Sequence, residues 1–134
     1  MPMNLPKEKQ PYLYILMRSD LDSLNPGKMV AQGAHAANQF VHDINGEGAL
    51  YDQWSTSTPD GFGVTICLDI TGYQLRPVVE FAKNAGFAAG VTHDPSYPLS
   101  DGQVTHLLPL DTCGYIFGDK DELRPLLGQF GLLK

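Results

Sequence analysis

Two neighbouring stretches decide the fold: YLYILMR, residues 12–18, and NPGKMVAQGAHAANQF, residues 25–40. The first is an apolar run rich in β-forming residues, and such a run predicts a strand buried on both faces. In the second, Asn25 suits the N-cap and Pro26 suits the first helical position, so a helix is predicted from there to about Ile44. A buried strand that leads into a helix indicates an α/β domain.

The rest of the chain alternates between strands and helices. The pattern predicts strands at 62–70, 88–94 and 112–118 and helices at 49–55, 73–85 and 119–130, with Thr71 and Asp119 as caps. The order β-α-α-β-α-β-β-α predicts a three-layer α/β domain, and the direct succession of the last two strands argues against a purely parallel sheet. Residues 95–111 contain three prolines and little periodicity, so a long loop is predicted there, with an extended piece at 104–108.

Size and composition indicate a single globular domain. The chain has 134 residues, of which 43% are hydrophobic and 18% are charged, and no apolar run is long enough to cross a bilayer. Residues 1–11 lack the apolar stretch that a secretory signal needs, and they are expected to be a flexible lead-in to one domain at 12–134. We therefore expect a cytoplasmic protein without a membrane partner.

Charge and cysteine content restrict the possible partners and cofactors. The net charge is −6, so any nucleic-acid partner must be held by a local basic site because the overall field does not attract it. Cys67 and Cys113 lie in apolar, strand-like stretches with no CxxC or Cys/His spacing. This indicates buried free thiols instead of a disulfide or a zinc site.

The first predicted helix has an unusual polar side. A solvated helix face normally pairs Glu with Lys four residues apart, whereas this side holds mainly amides and imidazoles. Such a surface is expected to be partly buried against something polar, while Val30 and Val41 point the other way. The polar residues form a stripe roughly 60° wide and are Lys28, Gln32, His35, Gln39 and His42.

Lys28 lies in the first turn of this helix. Free backbone N–H groups and the positive end of the helix dipole already favour an anion there, so a lysine at this position lowers helix stability. We interpret it as a source of positive potential for a phosphate, a carboxylate or a developing oxyanion; the alternative is a solvated lysine. The Ser/Thr and the upstream glycine of a Walker A loop are missing.

Asp94 is predicted at the C-terminal end of a strand, where ligand sites in α/β domains gather. A carboxylate at this place can act as a general base on water or orient a substrate hydroxyl. The alternative is an aspartate that only initiates a turn before Pro95.

The remaining candidates do not indicate a metal, a cofactor or a covalent nucleophile. His35 and His42 are about 10.5 Å apart along a helix, too far to share one ion, and a hydrogen-bonded structural role is expected for His35. His93 and Asp94 are neighbours on a strand and would point to opposite faces. No GxSxG motif is present and no cysteine lies in a basic, exposed setting, so water is the expected attacking group if the protein is a hydrolase.

Several of these segments together resemble a known family. The first predicted strand, Arg18-Ser19-Asp20-Leu21 and then GKMVAQGAHAA (27–37) are similar to the signature of the type 2 peptidyl-tRNA hydrolases, the archaeal and eukaryotic kind. Weaker matches are FAKNAGF (81–87), the strand leading to Asp94, Thr112 and the closing Phe-Gly-Leu-Leu. The likeness covers most of residues 12–133.

The resemblance implies a small α/β domain with a mixed four-stranded sheet, usually a homodimer, that cleaves the ester joining a peptide to the 3′ ribose of tRNA. Peptidyl-tRNA would be the partner, held by a local basic site that includes Arg18. Lys28 would bind phosphate or stabilise the oxyanion, and Asp94 would polarise the water. Gln32 and Thr112 would position substrate or water, and His35 would mainly support the helix.

The sequence departs from the family pattern after the aspartate. The family has a short stretch ending in Thr-Gln, whereas this chain has Pro95-Ser96-Tyr97-Pro98 and a longer connection to Thr112. Ser96 is a candidate to replace the missing hydroxyl. The alternative function is therefore a catalytically inactive binding module of the same fold that engages a protein or a small anionic ligand.

Overall fold

Eight elements follow one another in the predicted order. The structure is a computed structural model that describes residues 8–134, so residues 1–7 of the predicted lead-in lie outside the described part of the chain. The elements are β1 (Pro11–Arg18), α1 (Pro26–Asp43), α2 (Ala49–Ser55), β2 (Thr65–Ile70), α3 (Gly72–Asn84), β3 (Ala88–Asp101), β4 (Val104–Asp119) and α4 (Lys120–Leu127).

The helices begin at the predicted caps. Asn25 precedes α1 and its side chain accepts a hydrogen bond from the backbone N–H of Lys28 at 3.0 Å, with Pro26 in the first turn. The carboxylate of Asp119 accepts the backbone N–H groups of Asp121 and Glu122 at the start of α4. These bonds satisfy N–H groups that the first turn of a helix leaves unpaired.

The sheet is mixed, as predicted, and has the strand order β2-β1-β4-β3. β1 pairs with β2 in parallel and with β4 antiparallel, and β4 also pairs antiparallel with β3. Successive side chains of β1 face opposite layers: Leu13 and Ile15 belong to the core under α1 and α2, and Leu16 belongs to the core under α3 and α4. The architecture is thus a three-layer α/β domain.

Helix α1 buries a narrow side that mixes polar and apolar residues. Gln32, Ala36 and Phe40 are its buried residues, and the Phe40 ring lies 4.6 Å from the Phe117 ring, centroid to centroid. Val30, on the opposite side, is 74% exposed. The predicted polar stripe therefore lies at the boundary of the core, and one of its glutamines is inside.

The prediction of a long loop at 95–111 is wrong. β3 and β4 continue to pair as far as Asp101 and Val104, and only Gly102 and Gln103 form the turn. Gly102 has φ of 62°, which a hairpin turn of this length needs and glycine adopts without strain. Pro95 and Pro98 are tolerated because β3 is an edge strand, and Pro95 and Pro109 both lie at an irregularity in the pairing. We call residues 95–110 the hairpin arm.

The two edge strands of the sheet are β2 and β3, and only one of them is covered. The C-terminal tail lies along β2: the backbone N–H of Asp69 donates to the carbonyl of Gly131 at 2.9 Å, and that of Leu133 donates to Cys67 at 3.0 Å. On the outer side of β3, no strand formed by residues 8–134 pairs with it. One edge of the sheet is therefore closed by the chain itself and the other is open.

Candidate active site

A β-bulge on β4 brings two successive side chains to α1. Thr92 pairs with Cys113 and His93 pairs with Asp111, so Thr112 is an extra residue on β4. Bulges re-aim side chains in this way. The Thr112 hydroxyl donates to Gln32 Oε1 at 2.8 Å, and the Cys113 thiol lies 3.3 Å from the Gln32 backbone carbonyl oxygen. Thr112 is completely buried and lies well inside β4, eight residues past the start of that strand.

The hydrogen bond from Thr112 orients the Gln32 amide. Because the hydroxyl donates to Oε1, the amide nitrogen faces away from Thr112, and it donates to Asp94 Oδ2 at 3.0 Å. The backbone N–H of Ser96 donates to the other carboxylate oxygen, Oδ1, at 2.9 Å. Two donors thus fix an aspartate that is half-buried, and each oxygen keeps a further acceptor position. Gln32 itself is only 8% exposed.

A second irregularity shapes the backbone after Asp94. Asp94 pairs with Leu110 and Tyr97 pairs with Leu108, so β3 has one residue more than β4 in this interval. The extra residue makes room for the turn in which the Ser96 N–H reaches back to the carboxylate. The predicted strand end at Asp94 is therefore a kink within a longer strand.

The carboxylate of Asp94 lines an open cleft of about 370 Å³ between α1 and β3. A second pair of residues there repeats the arrangement of Thr112 and Gln32: the Thr92 hydroxyl donates to Gln39 Oε1 at 2.9 Å, and the Gln39 amide donates to the carbonyl of Val91 at 3.0 Å. The walls are mainly polar. The lining residues are Gln32, His35, Gln39, Thr92, His93, Asp94 and Pro95.

Lys28 is held at the base of the hairpin arm, one helical turn before Gln32. Its ammonium group donates to the carbonyl of Pro98 at 3.2 Å and lies 5.0 Å from the centre of the Tyr97 ring. Tyr97 is 1% exposed, and its hydroxyl shares a hydrogen bond of 2.9 Å with Ser23 in the β1–α1 connection. One donated bond leaves two N–H groups of the ammonium for other acceptors. Lys28 and Asp94 therefore both lie along the contact between α1 and β3.

The other predicted site residues have different surroundings. His35 is exposed on the wall of the cleft, and no hydrogen bond joins it to another side chain within residues 8–134. Ser96 is exposed and contributes its backbone N–H to Asp94. Arg18 does not line the cleft: it donates to Asp20 at 2.9 Å and to the carbonyl of Asp111 at 3.2 Å.

The bond from Arg18 also affects the acidity of Asp20. The hydrogen bond from the guanidinium is the largest influence, and together with the N–H of Gly72 it outweighs burial and lowers the pKa of Asp20. Arg18 thus ties the end of β1 to the start of α3.

Sequence reasoning missed a charged cluster on the α3 face of β3. His93 Nδ1 lies 2.8 Å from Asp111 Oδ1, and Arg76 donates to Asp111 Oδ2 at 2.8 Å. Burial raises the pKa of Asp111, but the bonds from His93 and Arg76 more than offset it, so the pKa is below its usual value. No local sequence motif predicts this cluster, because only the register of the hairpin brings His93 and Asp111 together.

Within residues 8–134, no three His, Cys, Asp or Glu side chains are grouped so that they could hold a metal ion. In the same part of the chain, no helix has the length and apolar character needed to cross a bilayer.

The order of elements, the mixed sheet and the Thr112–Gln32–Asp94 contacts can now be compared with known proteins. The family model described as peptidyl-tRNA hydrolase PTH2 matches residues 12–133, which is nearly the whole chain and includes every strand and helix described above except the first residue of β1, Pro11. No curated protein matches the chain significantly. The family match alone is extensive enough to show that this chain belongs to the peptidyl-tRNA hydrolase PTH2 family.

Proposed function

We propose that the protein hydrolyses the ester between the peptide and the tRNA of peptidyl-tRNA, with water as the nucleophile and without a metal ion or cofactor. Membership of the peptidyl-tRNA hydrolase PTH2 family suggests this reaction. The observation that carries the proposal is the chain of hydrogen bonds from Thr112 through Gln32 to Asp94 at the wall of the cleft. It holds a carboxylate in one orientation with free acceptor positions, as a general base needs.

The proposed reaction uses Asp94 and Lys28 in different roles. Asp94 accepts a proton from a water molecule while the water oxygen bonds to the ester carbonyl carbon. The carbonyl oxygen then carries negative charge, and the ammonium of Lys28 stabilises it or an adjacent phosphate. When the tetrahedral intermediate collapses, the bond to the ribose 3′ oxygen breaks, and that oxygen takes up the proton from Asp94. The products are the free peptide acid and the tRNA.

Substrate binding is proposed to be local because the net charge of −6 opposes tRNA. Lys28 supplies positive charge, whereas the charge of Arg18 is offset by its ion pair with Asp20. The exposed side chains of His35 and Ser96 are the proposed hydrogen-bonding contacts. Binding through phosphates should weaken steeply with salt. A homodimer and a cytoplasmic location are also proposed on the family resemblance.

The test is a cleavage assay on a defined peptidyl-tRNA with the wild type, Asp94→Asn and a matched control. The amide in Asp94→Asn keeps the shape but is a poor base, so kcat is expected to fall by about 10²- to 10⁴-fold. Asp101→Asn removes the same charge from an exposed carboxylate at the tip of the hairpin arm and should leave kcat unchanged. No cleavage by the wild type above background would contradict the proposal.

A binding module without catalysis is the second candidate. Tyr97 and Pro98 stand where the family resemblance expects a Thr-Gln pair, and the hairpin arm exposes Val104 and Leu107 at 56% and 65%. An apolar arm suits a protein partner. Stoichiometric binding without turnover would support this candidate, whereas cleavage that Asp94→Asn abolishes would exclude it.

A further inference from the structure

The open edge of the sheet passes directly beside the proposed catalytic carboxylate. β3 pairs with β4 on one side only, and within residues 8–134 no strand pairs with its other side, where the Gln39 amide bonds to the Val91 carbonyl. Every second residue of such an edge strand directs its N–H and C=O groups outward. Natural proteins usually cover or block such an edge, as the C-terminal tail covers β2 in this protein. An uncovered edge next to a site is therefore a candidate surface for a ligand.

The edge of β3 forms the floor of a continuous groove. The cleft at Thr92–Pro95 adjoins a second cavity of about 350 Å³ at Ala89–Val91, and Gln39 lines both. α1 forms a wall of both cavities, and α3 forms the opposite wall of the second cavity through Arg76, Glu80 and Lys83. We call the two cavities together the edge groove.

The walls of the edge groove are nearly balanced in charge. In the part beyond Gln39, Asp43 and Glu80 are matched by Arg76 and Lys83, and Asp94 at the other end adds one negative charge. The groove therefore has no surplus of positive charge for a strongly acidic ligand. A nucleic-acid strand would need a surplus of positive charge here.

The backbone of β3 is accessible from this groove. The Gln39 side chain, which comes from α1, donates to the carbonyl of Val91 at 3.0 Å. A donor in the space between α1 and β3 can thus reach a carbonyl of the strand. The neighbouring residues Ala88, Ala89 and Gly90 are small, so their side chains do not obstruct the approach of a second backbone.

We propose that the peptide half of peptidyl-tRNA binds in the edge groove as an added strand on β3, between Ala88 and Thr92. The inference rests on the proposed function, and it names the ligand of the surface beside Asp94. The ester carbonyl is the C-terminal end of the peptide and must lie at Asp94, so the peptide runs parallel to β3. From Ala88 to Asp94 the strand is about 20 Å long, which about six peptide residues would span.

This mode of binding suits the substrate. Strand addition takes its affinity from main-chain hydrogen bonds, which every peptide sequence offers. An enzyme that cleaves peptides from tRNA after arbitrary interruptions of synthesis needs recognition of this kind. The paired positive and negative charges of the edge groove meet the same requirement, because they favour no one class of peptide side chain.

Substrates with altered backbones test the proposal on the wild-type protein. We compare one tRNA carrying an acetylated hexapeptide, the same peptide N-methylated at single amides, and a peptide with changed side chains. N-methylation at amides that face β3 should lower kcat/KM by roughly 3- to 10-fold each, and at the alternate amides it should have little effect. Changed side chains should also have little effect. Equal cleavage of all the substrates would overturn the inference and leave the proposed function intact.

Hydrogen exchange gives a readout that does not depend on turnover. The probe is the same hexapeptide joined by an amide to 3′-amino-3′-deoxyadenosine, which cannot undergo ester hydrolysis. It should slow exchange of outward-facing amides between Ala88 and Thr92 and leave the amides of β2, which the tail covers, unchanged. No slowing in β3 at saturating probe would overturn the inference.

The same measurements separate failure of the inference from failure of the function. If no substrate is cleaved but the probe protects β3, the proposed function fails and the peptide groove stands. If β3 is protected without the probe, and increasingly so at higher protein concentration, a second copy of the chain occupies the edge and the inference is wrong.

Discussion

The two edge strands of this sheet differ in whether another segment of the chain covers them. At β2 the chain returns and adds its own C-terminal tail, with hydrogen bonds from Asp69 to Gly131 and from Leu133 to Cys67. At β3 the edge is left without a partner strand among residues 8–134, and the proposed catalytic groups lie beside it. The comparison teaches that a sheet edge covered by its own chain contributes to stability, whereas an uncovered edge stays available for the strand addition proposed above.

Of the variants that compare the two edges, the largest effect is expected from one beside the open edge. This variant breaks the hydrogen bonds that hold the carboxylate of Asp94. Thr112→Val keeps the volume but removes the donor to Gln32 Oε1, so the amide is free to turn away from Asp94. Kcat should fall by about 10-fold or more, and the free energy of unfolding should fall by about 1–3 kcal/mol because a buried acceptor is left unpaired. Steady-state kinetics and urea unfolding measure the two effects.

Thr112→Ser is the matched control for this variant. It keeps the hydroxyl and should restore most of the activity, although it removes one buried methyl group. If Thr112→Ser were as inactive as Thr112→Val, the hydroxyl would not be the reason for the loss.

A deletion of residues 131–134 tests the closed edge. It removes two main-chain hydrogen bonds and the packing of Leu133 on the core, and it exposes the edge of β2. The free energy of unfolding should fall by roughly 1–3 kcal/mol, and self-association should increase. Thermal unfolding and light scattering measure these changes.

The deletion should leave kcat unchanged, because the tail lies at the far edge from Asp94 in the strand order. Leu132→Ser serves as a control: its side chain is 61% exposed, so it should have almost no effect on stability. A deletion variant that lost activity while it remained folded would show that the two edges are not independent.

A smaller effect is expected where β1 ends, between the two edges. Arg18 lowers the pKa of Asp20 in the folded state, so the pair stabilises the protein above the unfolded-state pKa of about 3.9. This contribution is lost as the pH falls through the lower folded-state pKa. Asp20→Asn should therefore be less stable than the wild type at pH 7, by less than about 1 kcal/mol because the pair is partly exposed.

The difference between the wild type and Asp20→Asn should disappear at low pH. Urea unfolding at a series of pH values between 2 and 7 measures it. A constant difference over this range would contradict the assignment of the effect to the ionised carboxylate.

The smallest expected signal is a change in thiol reactivity that reports on the tail. Cys113 is completely buried, and burial raises its pKa to about 11, so it should not react with a thiol reagent near pH 8. Cys67 is half-buried beneath the tail, and burial also raises its pKa. Deletion of residues 131–134 should speed labelling of Cys67 and leave Cys113 unreactive; faster labelling of Cys113 would indicate general unfolding.

The first half of the fold was predictable because its signals are local. The apolar run at 12–18 and the cap and proline at Asn25 and Pro26 each act within a few residues of themselves. The hairpin arm was missed because three prolines suggested a loop. The available signal was Gly102 followed by Gln103, since a glycine at the first position of a two-residue loop between two extended runs favours a hairpin turn.

The candidate site was predictable in its residues but not in its contacts. Lys28, Gln32 and Asp94 stood out by helix position and strand end, and the structure joins Gln32 to both Asp94 and Thr112. The bulge that turns Thr112 toward α1 depends on the register of β4 against β3, which no local pattern determines. Arg18, by contrast, pairs with Asp20 only two residues further along the chain and does not line the cleft.

The attachment of Lys28 to Pro98 and Tyr97 has a mechanical consequence. The hairpin arm connects the ammonium group of Lys28, which is held at its base, to the turn at Gly102, which is exposed to solvent. A partner that binds the turn and tilts the arm will therefore also move the ammonium group of Lys28. A partner bound to the exposed turn, far from the cleft, could thus change the position of Lys28 and with it the proposed reaction.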